Sequence, residues 1–346
     1  MTTNRRFSRR KILQAGAGLM ALSAAGTATR LAPFAAPAVA QGFDEVIVQL
    51  NWIKNVQHGG HFAAIEKGFY REERLNVDVK PGGPGIDSIA LTANGRAHIG
   101  DRDSTNVMLA RGRGIPIKGF AVSYQANPFS LISLRKNPVR TLEEMKGKTF
   151  ALHPGRRPSM VALLRRAKID PSTVTFVPAS GDATVLVSGQ VDGYFGWATN
   201  EGLALRTRGV DVEIINLGDL GDPSYPQVFF ATDETLRDKP DLLARWLRAS
   251  QKGWRYFADN PEEVARFTVE KYGYKGLDLK QMIAEGKEYR PYILGGAAAT
   301  RGVMAIGTEN FAAAIRLARE AGLLKEDLSA SSMVDLRPWQ LAGGKA

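Results

Sequence analysis

The chain has no cysteine among its 346 residues. That excludes disulfides, thiol nucleophiles and cysteine-bound metal centres. Histidine is scarce as well, with only His58, His61, His98 and His153. His58 and His61 are spaced to share a metal, but no nearby Asp or Glu completes the set. Neither a metal nor a cofactor is therefore expected. There is no G-x-S-x-G elbow, no H-E-x-x-H helix and no Walker loop, so the common hydrolase, zincin and nucleotide-hydrolase signatures are all missing. Beyond residue 45 no apolar run is long enough to span a membrane.

Acidic residues are absent from positions 1–40, where Arg5, Arg6, Arg9, Arg10, Lys11 and Arg30 stand. Setting those six aside leaves 40 basic against 35 acidic residues, so the formal net charge falls from +11 to +5. The rest of the Lys and Arg are interspersed with acids, which reads as a solvated surface with no nucleic-acid partner. The first forty residues combine a basic start, a Gly/Ala-rich apolar middle and the small-x-small end Ala38-Val39-Ala40. That is the pattern of an export signal, cleaved after Ala40. Ser8-Arg9-Arg10-Lys11-Ile12-Leu13-Gln14 resembles the twin-arginine consensus, with Ile12 and Gln14 as departures. The expectation is periplasmic localisation with the twin-arginine machinery as export partner. With no cysteine to acylate, a lipoprotein anchor is excluded.

After residue 42 short apolar strands alternate with short helices. Val46–Leu50, Val77–Val79, Ala97–Gly100 and Ile117–Tyr124 read as strands, with helices at 62–67, 88–94 and 105–111 between them. A second βα series runs from residue 134 to 215, opened by a capping-box pattern at Thr141–Glu144. After a strand at Phe229-Phe230 the chain becomes helical, with Trp246, Trp254 and Phe257 on one helical face. The pattern predicts an α/β fold of mainly parallel sheets with helices on both faces.

Leu50-Asn51-Trp52 followed by His58-Gly59-Gly60-His61-Phe62-Ala63-Ala64-Ile65-Glu66-Lys67-Gly68-Phe69-Tyr70 resembles the thiamine-pyrimidine-synthase-like superfamily. This group is allied to the alkylsulfonate-binding-like substrate-binding proteins of ABC transporters. The likeness continues through Gly95–Gly100, Arg113–Ile117, Leu142–Lys148, Gly189–Gly193 and Asn260–Glu263, covering roughly residues 45–290. Each piece is weak alone; their order and spacing give the likeness its specificity. The resemblance implies the two-lobed periplasmic binding protein fold of type II with two crossover strands. Lobe 1 is expected at 43–133 plus 231–346, and lobe 2 at 134–230. It also implies a small-molecule ligand, a membrane permease and an ATPase subunit as partners.

Open α/β sheets bind ligands beyond the carboxyl ends of their strands. On that rule Asn51, Trp52, Asn55 and His58 follow the first strand. Trp52 offers a ring face for stacking, with a buried core tryptophan as the plainer reading. His58 suits either a heterocycle or a helix cap. Ser104 and Thr105 suit a ligand or the N-terminus of their helix. Tyr124 ends the next strand. His153, Gly155 and Arg156 lie between a strand and a helix, where free backbone N–H groups would suit an anion. Trp197, Asn200 and Glu201 resemble the aromatic-x-T-N-E segment of pyrimidine and riboflavin receptors, and Tyr225 stands near a crossover.

The superfamily also contains enzymes that build the thiamine pyrimidine from pyridoxal phosphate and histidine. Aligned through Gly100 and Gly114-Ile115-Pro116, their imine-forming lysine falls on Arg102, which cannot form an imine. Their consumed histidine falls on Asn106, and their cysteine motif has no counterpart. The expectation is a receptor that is not an enzyme, binding a planar heterocycle such as a thiamine pyrimidine precursor or a riboflavin-like ring. An alkylsulfonate, taurine or an aromatic acid is the alternative, kept open by Arg102, Arg156 and Arg157.

Overall fold

The computed structural model describes residues 42–179 and 181–344. The export signal expected at 1–40 lies outside the described residues. Ten strands occur in chain order: β1 (Asp44–Gln49), β2 (Leu75–Lys80), β3 (Ile99–Arg102), β4 (Ile117–Val122), β5 (Phe129–Leu134), β6 (Thr149–Leu152), β7 (Thr175–Pro178), β8 (Gly193–Trp197), β9 (Val212–Asn216) and β10 (Val228–Thr232). They form two five-stranded sheets, ordered β2-β1-β3-β10-β4 and β7-β6-β8-β5-β9.

In each sheet four strands share one direction and the fifth opposes them. β10 runs antiparallel to β3 and β4. β5 runs antiparallel to β8 and β9. Each reversed strand is the first to enter its sheet from the other, so the chain crosses between sheets at 123–128 and 217–227. Parallel strands need covered crossovers, and helices supply that cover on both faces. The architecture is the two-lobed α/β arrangement, with mixed sheets.

The helix Pro240–Asp259 buries Leu243, Trp246, Leu247, Trp254 and Phe257 along one stripe. It packs on the helix Gly59–Glu66 through two glycines. A Cβ on Gly60 would lie 2.2 Å from Trp254 Cδ2, and one on Gly253 would lie 2.2 Å from the Gly60 carbonyl oxygen. Without those side chains the backbones approach closely enough to seal the core beneath β1. The helix Glu309–Glu320 divides its apolar residues. Phe311, Ala314 and Ile315 join the core of the first sheet, while Leu317 joins that of the second.

Local signals read from sequence hold with shifts of up to three residues. Half of the capping box forms: Glu144 N–H donates to Thr141 Oγ1 at 3.3 Å, but the Glu144 carboxylate accepts the N–H of Arg140, not of Thr141, at 2.7 Å. Among the described residues no helix is long and apolar enough to cross a membrane, and no group of three or more His, Asp or Glu is placed to hold a metal ion.

Candidate functional site

The parallel strands of both sheets end at one cleft. It holds about 730 Å³ of space free of atoms, the solvent at its open mouth included. Asn51 and Trp52 enter it just past β1, Arg102 and Asp103 at the end of β3, and Gln57 from the turn Val56–His58. The second sheet contributes His153, Gly155 and Arg156 after β6, Ala179 and Gly181 after β7, and Tyr194–Trp197 from β8. Asn200 and Glu201 follow in the π-helical turn Ala198–Gly202, and Phe129 opens β5.

Rings from both sheets form the walls. Trp52 meets His153 edge-on with centroids 5.3 Å apart. Trp197 is braced from behind by Tyr124 at 5.5 Å and Tyr289 at 6.1 Å, both buried. The Arg156 guanidinium lies over the Phe129 ring at 4.6 Å. Two charged side-chain ends lie close to bare glycines. A Cβ on Gly196 would stand 2.7 Å from Glu201 Oε2, and one on Gly155 would stand 2.4 Å from Arg102 Nη2. The bare Gly196 lets the Glu201 carboxylate fold back and accept the Trp197 N–H at 2.8 Å.

Burial pushes the Glu201 carboxyl up to about 7, opposed by the backbone N–H groups it accepts. Glu285 behind it is pushed up to about 8 by burial, with the Glu201 charge adding to the shift. Asn200 Nδ2 donates to Glu285 Oε2 at 3.1 Å, linking the turn after β8 to the helix Leu279–Glu288. Asp101 in β3 is pushed up to about 7 by burial while accepting the Asn51 N–H at 2.6 Å and a bond from Gln227 Nε2. His153 is held below its ordinary pKa by burial and then by Arg102 and Arg156, so it stays neutral. The Asn51 Oδ1 acceptor and the Arg156 Nη1 donor are both buried with no hydrogen-bond partner. Buried groups of this kind normally find partners, so a ligand or water is needed at each.

Eight of the residues selected from sequence come together here: Asn51, Trp52, His153, Gly155, Arg156, Trp197, Asn200 and Glu201. Six stand in the interior instead. Asn55 accepts the Gln57 N–H at 3.1 Å as the cap of a turn. His58 is fully buried, bonded through Nδ1 to Gln227 Nε2 at 3.2 Å. Ser104 Oγ accepts the Tyr225 N–H at 3.0 Å, and Tyr225 packs on Phe311. Thr105 is buried in its helix, whose cap is Asp103 rather than Ser104 or Thr105. Tyr124 donates its hydroxyl to the Gln57 carbonyl at 2.6 Å.

The free N–H groups expected after β6 are also taken. Gly155 N–H donates to His153 Nδ1 at 3.2 Å, and Arg156 N–H to the His153 carbonyl at 2.8 Å. Local turn closure satisfies them, so an anion here must be met by side chains. Arg157 lies over Phe176 at 5.6 Å, outside the cleft lining. Gln57, Phe129, Tyr194 and Phe195 line the cleft without having been selected. The strand periodicity that marks Tyr194 and Phe195 as core residues hides their second contact.

A family model described as NMT1/THI5 like matches residues 55–264. The formylaminopyrimidine-binding protein of Halalkalibacterium halodurans is 26% identical over 252 residues, spanning 71% of this chain and 76% of that protein. The riboflavin-binding protein RibY of Chloroflexus aurantiacus is 24% identical over 259 residues, 71% of this chain and 73% of its own. A 4-amino-5-hydroxymethyl-2-methylpyrimidine phosphate synthase of Legionella pneumophila is 25% identical over 224 residues, 63% of this chain and 71% of the enzyme. Among solved structures, the alkanesulfonate-binding protein SsuA from Xanthomonas axonopodis pv. citri bound to MOPS superposes with a TM-score of 0.65. Its identity is 13%, over 86% of this chain and 99% of that one.

Proposed function

The chain belongs to the NMT1/THI5-like family, and from that premise we propose that it is the exported substrate-binding component of an ABC importer. It takes a small planar heterocycle, a pyrimidine precursor or a flavin-like ring, and hands it to a membrane permease driven by an ATPase. The observation that carries this reading is the cleft itself, walled by Trp52 from one sheet and Tyr194 and Trp197 from the other.

Binding and closure follow from that arrangement. A ring set against Trp52 and Trp197 buries both of its faces and gains from offset or edge contact. Asn51 Oδ1 accepts from a ring N–H or amino group. Glu201, its carboxyl pushed up to about 7 by burial, donates to a ring nitrogen when protonated and accepts from an amino group when ionised. Since the two walls belong to different sheets joined by two crossings, a ligand touching both favours the closed arrangement. The formylaminopyrimidine- and riboflavin-binding relatives support a heterocycle as cargo.

Two positions argue against the synthase chemistry of other relatives. Arg102 occupies the position where the family resemblance puts an imine-forming lysine. Asn106, in the consumed-histidine position, uses its amide to donate to Asp103 Oδ2 at 2.7 Å and to the Gly155 carbonyl at 2.8 Å.

A thermal-stability screen tests the proposal with formylaminopyrimidines, riboflavin, pyridoxal phosphate, taurine and alkylsulfonates. A heterocycle at a hundredfold excess over its Kd stabilises the folded protein by about 2.7 kcal/mol, and Trp197→Ala removes that shift. A response to pyridoxal phosphate alone, with covalent change to the protein, overturns the receptor reading.

A further inference from the structure

Arg102 and Arg156 both face the cleft with their side chains mostly covered, 18% and 10% exposed. Arg102 reaches Asp103 through Nε only at 3.9 Å, and Arg156 through Nη1 only at 3.8 Å, both beyond hydrogen-bond distance. Arg156 Nη1 is buried with no hydrogen-bond partner. Asp103 is already engaged, accepting the Asn106 N–H at 3.1 Å on Oδ1 and the Asn106 amide on Oδ2. Asp222, another carboxylate near Arg156, turns to Ser224 N–H at 3.0 Å and Ser224 Oγ at 2.9 Å. Burial also favours its neutral form. Covered guanidinium groups without charge-assisted bonds are costly, and a fold keeps them where an anion completes them.

The charge count sets what that anion is. Arg102 and Arg156 contribute two positive charges, Asp103 one negative, and the neutral His153 none. Burial pushes the other nearby carboxyls, Asp101, Asp222 and Glu201, towards their neutral forms, so one negative charge balances the group. His153 Nδ1 accepts the Gly155 N–H, which leaves the ring proton on Nε2 as a further donor. A planar two-oxygen group suits guanidinium forks. Phe129, under Arg156, continues the aromatic wall next to it.

We propose that the cargo carries one carboxylate on its planar ring, and that Arg102 and Arg156 hold that carboxylate at the end of the cleft bounded by Asp103 and His153. This rests on the receptor reading and narrows it to a ring acid. Neutral pyrimidines and flavins leave the two guanidinium groups unanswered.

The test compares matched acids and amides on the purified protein at constant ionic strength. The pairs are pyrimidine-5-carboxylate with its carboxamide, nicotinate with nicotinamide, and quinoline-4-carboxylate with its carboxamide. Melting shifts and calorimetric titration are expected to favour the acid at least tenfold in a pair that binds. In Arg102→Gln and Arg156→Gln that preference falls towards onefold, and Arg156→Lys retains part of it. Indifference between acid and amide, or a preference that survives both variants, overturns the carboxylate subsite.

Absence of binding by every acid also overturns it, and riboflavin and formylaminopyrimidines then decide the wider reading. Their binding leaves the receptor standing, and their failure removes it too. Ligand-free Arg156→Gln protein gives an independent check. It melts close to the wild type, because the contacts the guanidinium makes within the protein, over the Phe129 ring and 3.8 Å from Asp103, are weak ones. A fall of several degrees assigns Arg156 to the fold and overturns the subsite.

Discussion

Replacing Glu285 with Gln should flatten the pH dependence of stability. Glu285 is 1% exposed, and burial pushes its carboxyl up to about 8, against 4.5 for a free glutamate. Below about pH 4.5 the carboxyl is protonated in both states, and its contribution to stability is fully present. Between about 4.5 and 8 the unfolded chain loses the proton while the folded chain keeps it, so stability falls as pH rises. The slope from one such group is about 1.4 kcal/mol per pH unit. At pH 7 the accumulated loss is about 3 kcal/mol. Gln reproduces the neutral carboxyl in size; Asn200 and Gln281 both donate to the carboxylate, so with the protonated acid and with Gln alike one of those amides turns over to accept. Glu285→Gln should therefore match the wild type near pH 4.5 and exceed it by about 3 kcal/mol at pH 7. Urea unfolding midpoints at half-unit steps from pH 4.5 to 8.5 measure this. Wild-type stability also falls through Glu201 and Asp101, both near 7, so the variant removes one component of the slope. Parallel curves for variant and wild type would refute the reasoning.

Two further substitutions probe packing and closure. Gly60→Ala puts a methyl group 2.2 Å from Trp254 Cδ2. Overpacking of that kind costs about 1–3 kcal/mol, visible as a lower urea midpoint without loss of ligand specificity. Asn106→Ala deletes the 2.8 Å bond from Asn106 to the Gly155 carbonyl, which ties the helix after β3 to the loop after β6. A net loss of about 1 kcal/mol lowers the closed population, and so the affinity, about fivefold. Calorimetry reads the affinity, and small-angle scattering reads the more open ligand-free form.

The fold was largely legible because hydrophobic period reports local structure directly. Val46-Ile47-Val48 form the apolar run of β1, and Trp246, Trp254 and Phe257 mark one helical stripe. Strand direction was not legible. The reversal of β5 and β10 depends on where the chain re-enters a sheet, which no local pattern encodes.

For the cleft, the strand-end rule selected Asn51, Trp52, His153 and Trp197, all of which line it. The same rule selected Tyr124, and nearness to a crossover selected Tyr225; they turn inward, Tyr124 to donate to the Gln57 carbonyl and Tyr225 to pack on Phe311. A strand end fixes the position of the backbone but not the side to which a side chain turns. Ser104 shows the consequence, since its hydroxyl holds the backbone of Tyr225, a residue 121 positions away. Gln57 was missed for the converse reason, since it enters the cleft from a 3-10 turn with no strand periodicity.

The central claim is reversible binding without chemistry. The most direct measurement incubates the protein with its best heterocycle, and separately with pyridoxal phosphate, then determines the intact masses of protein and recovered ligand. The account predicts both masses unchanged and full recovery of the ligand on unfolding. A protein mass altered by pyridoxal phosphate, or a ligand recovered as a different compound, would contradict it.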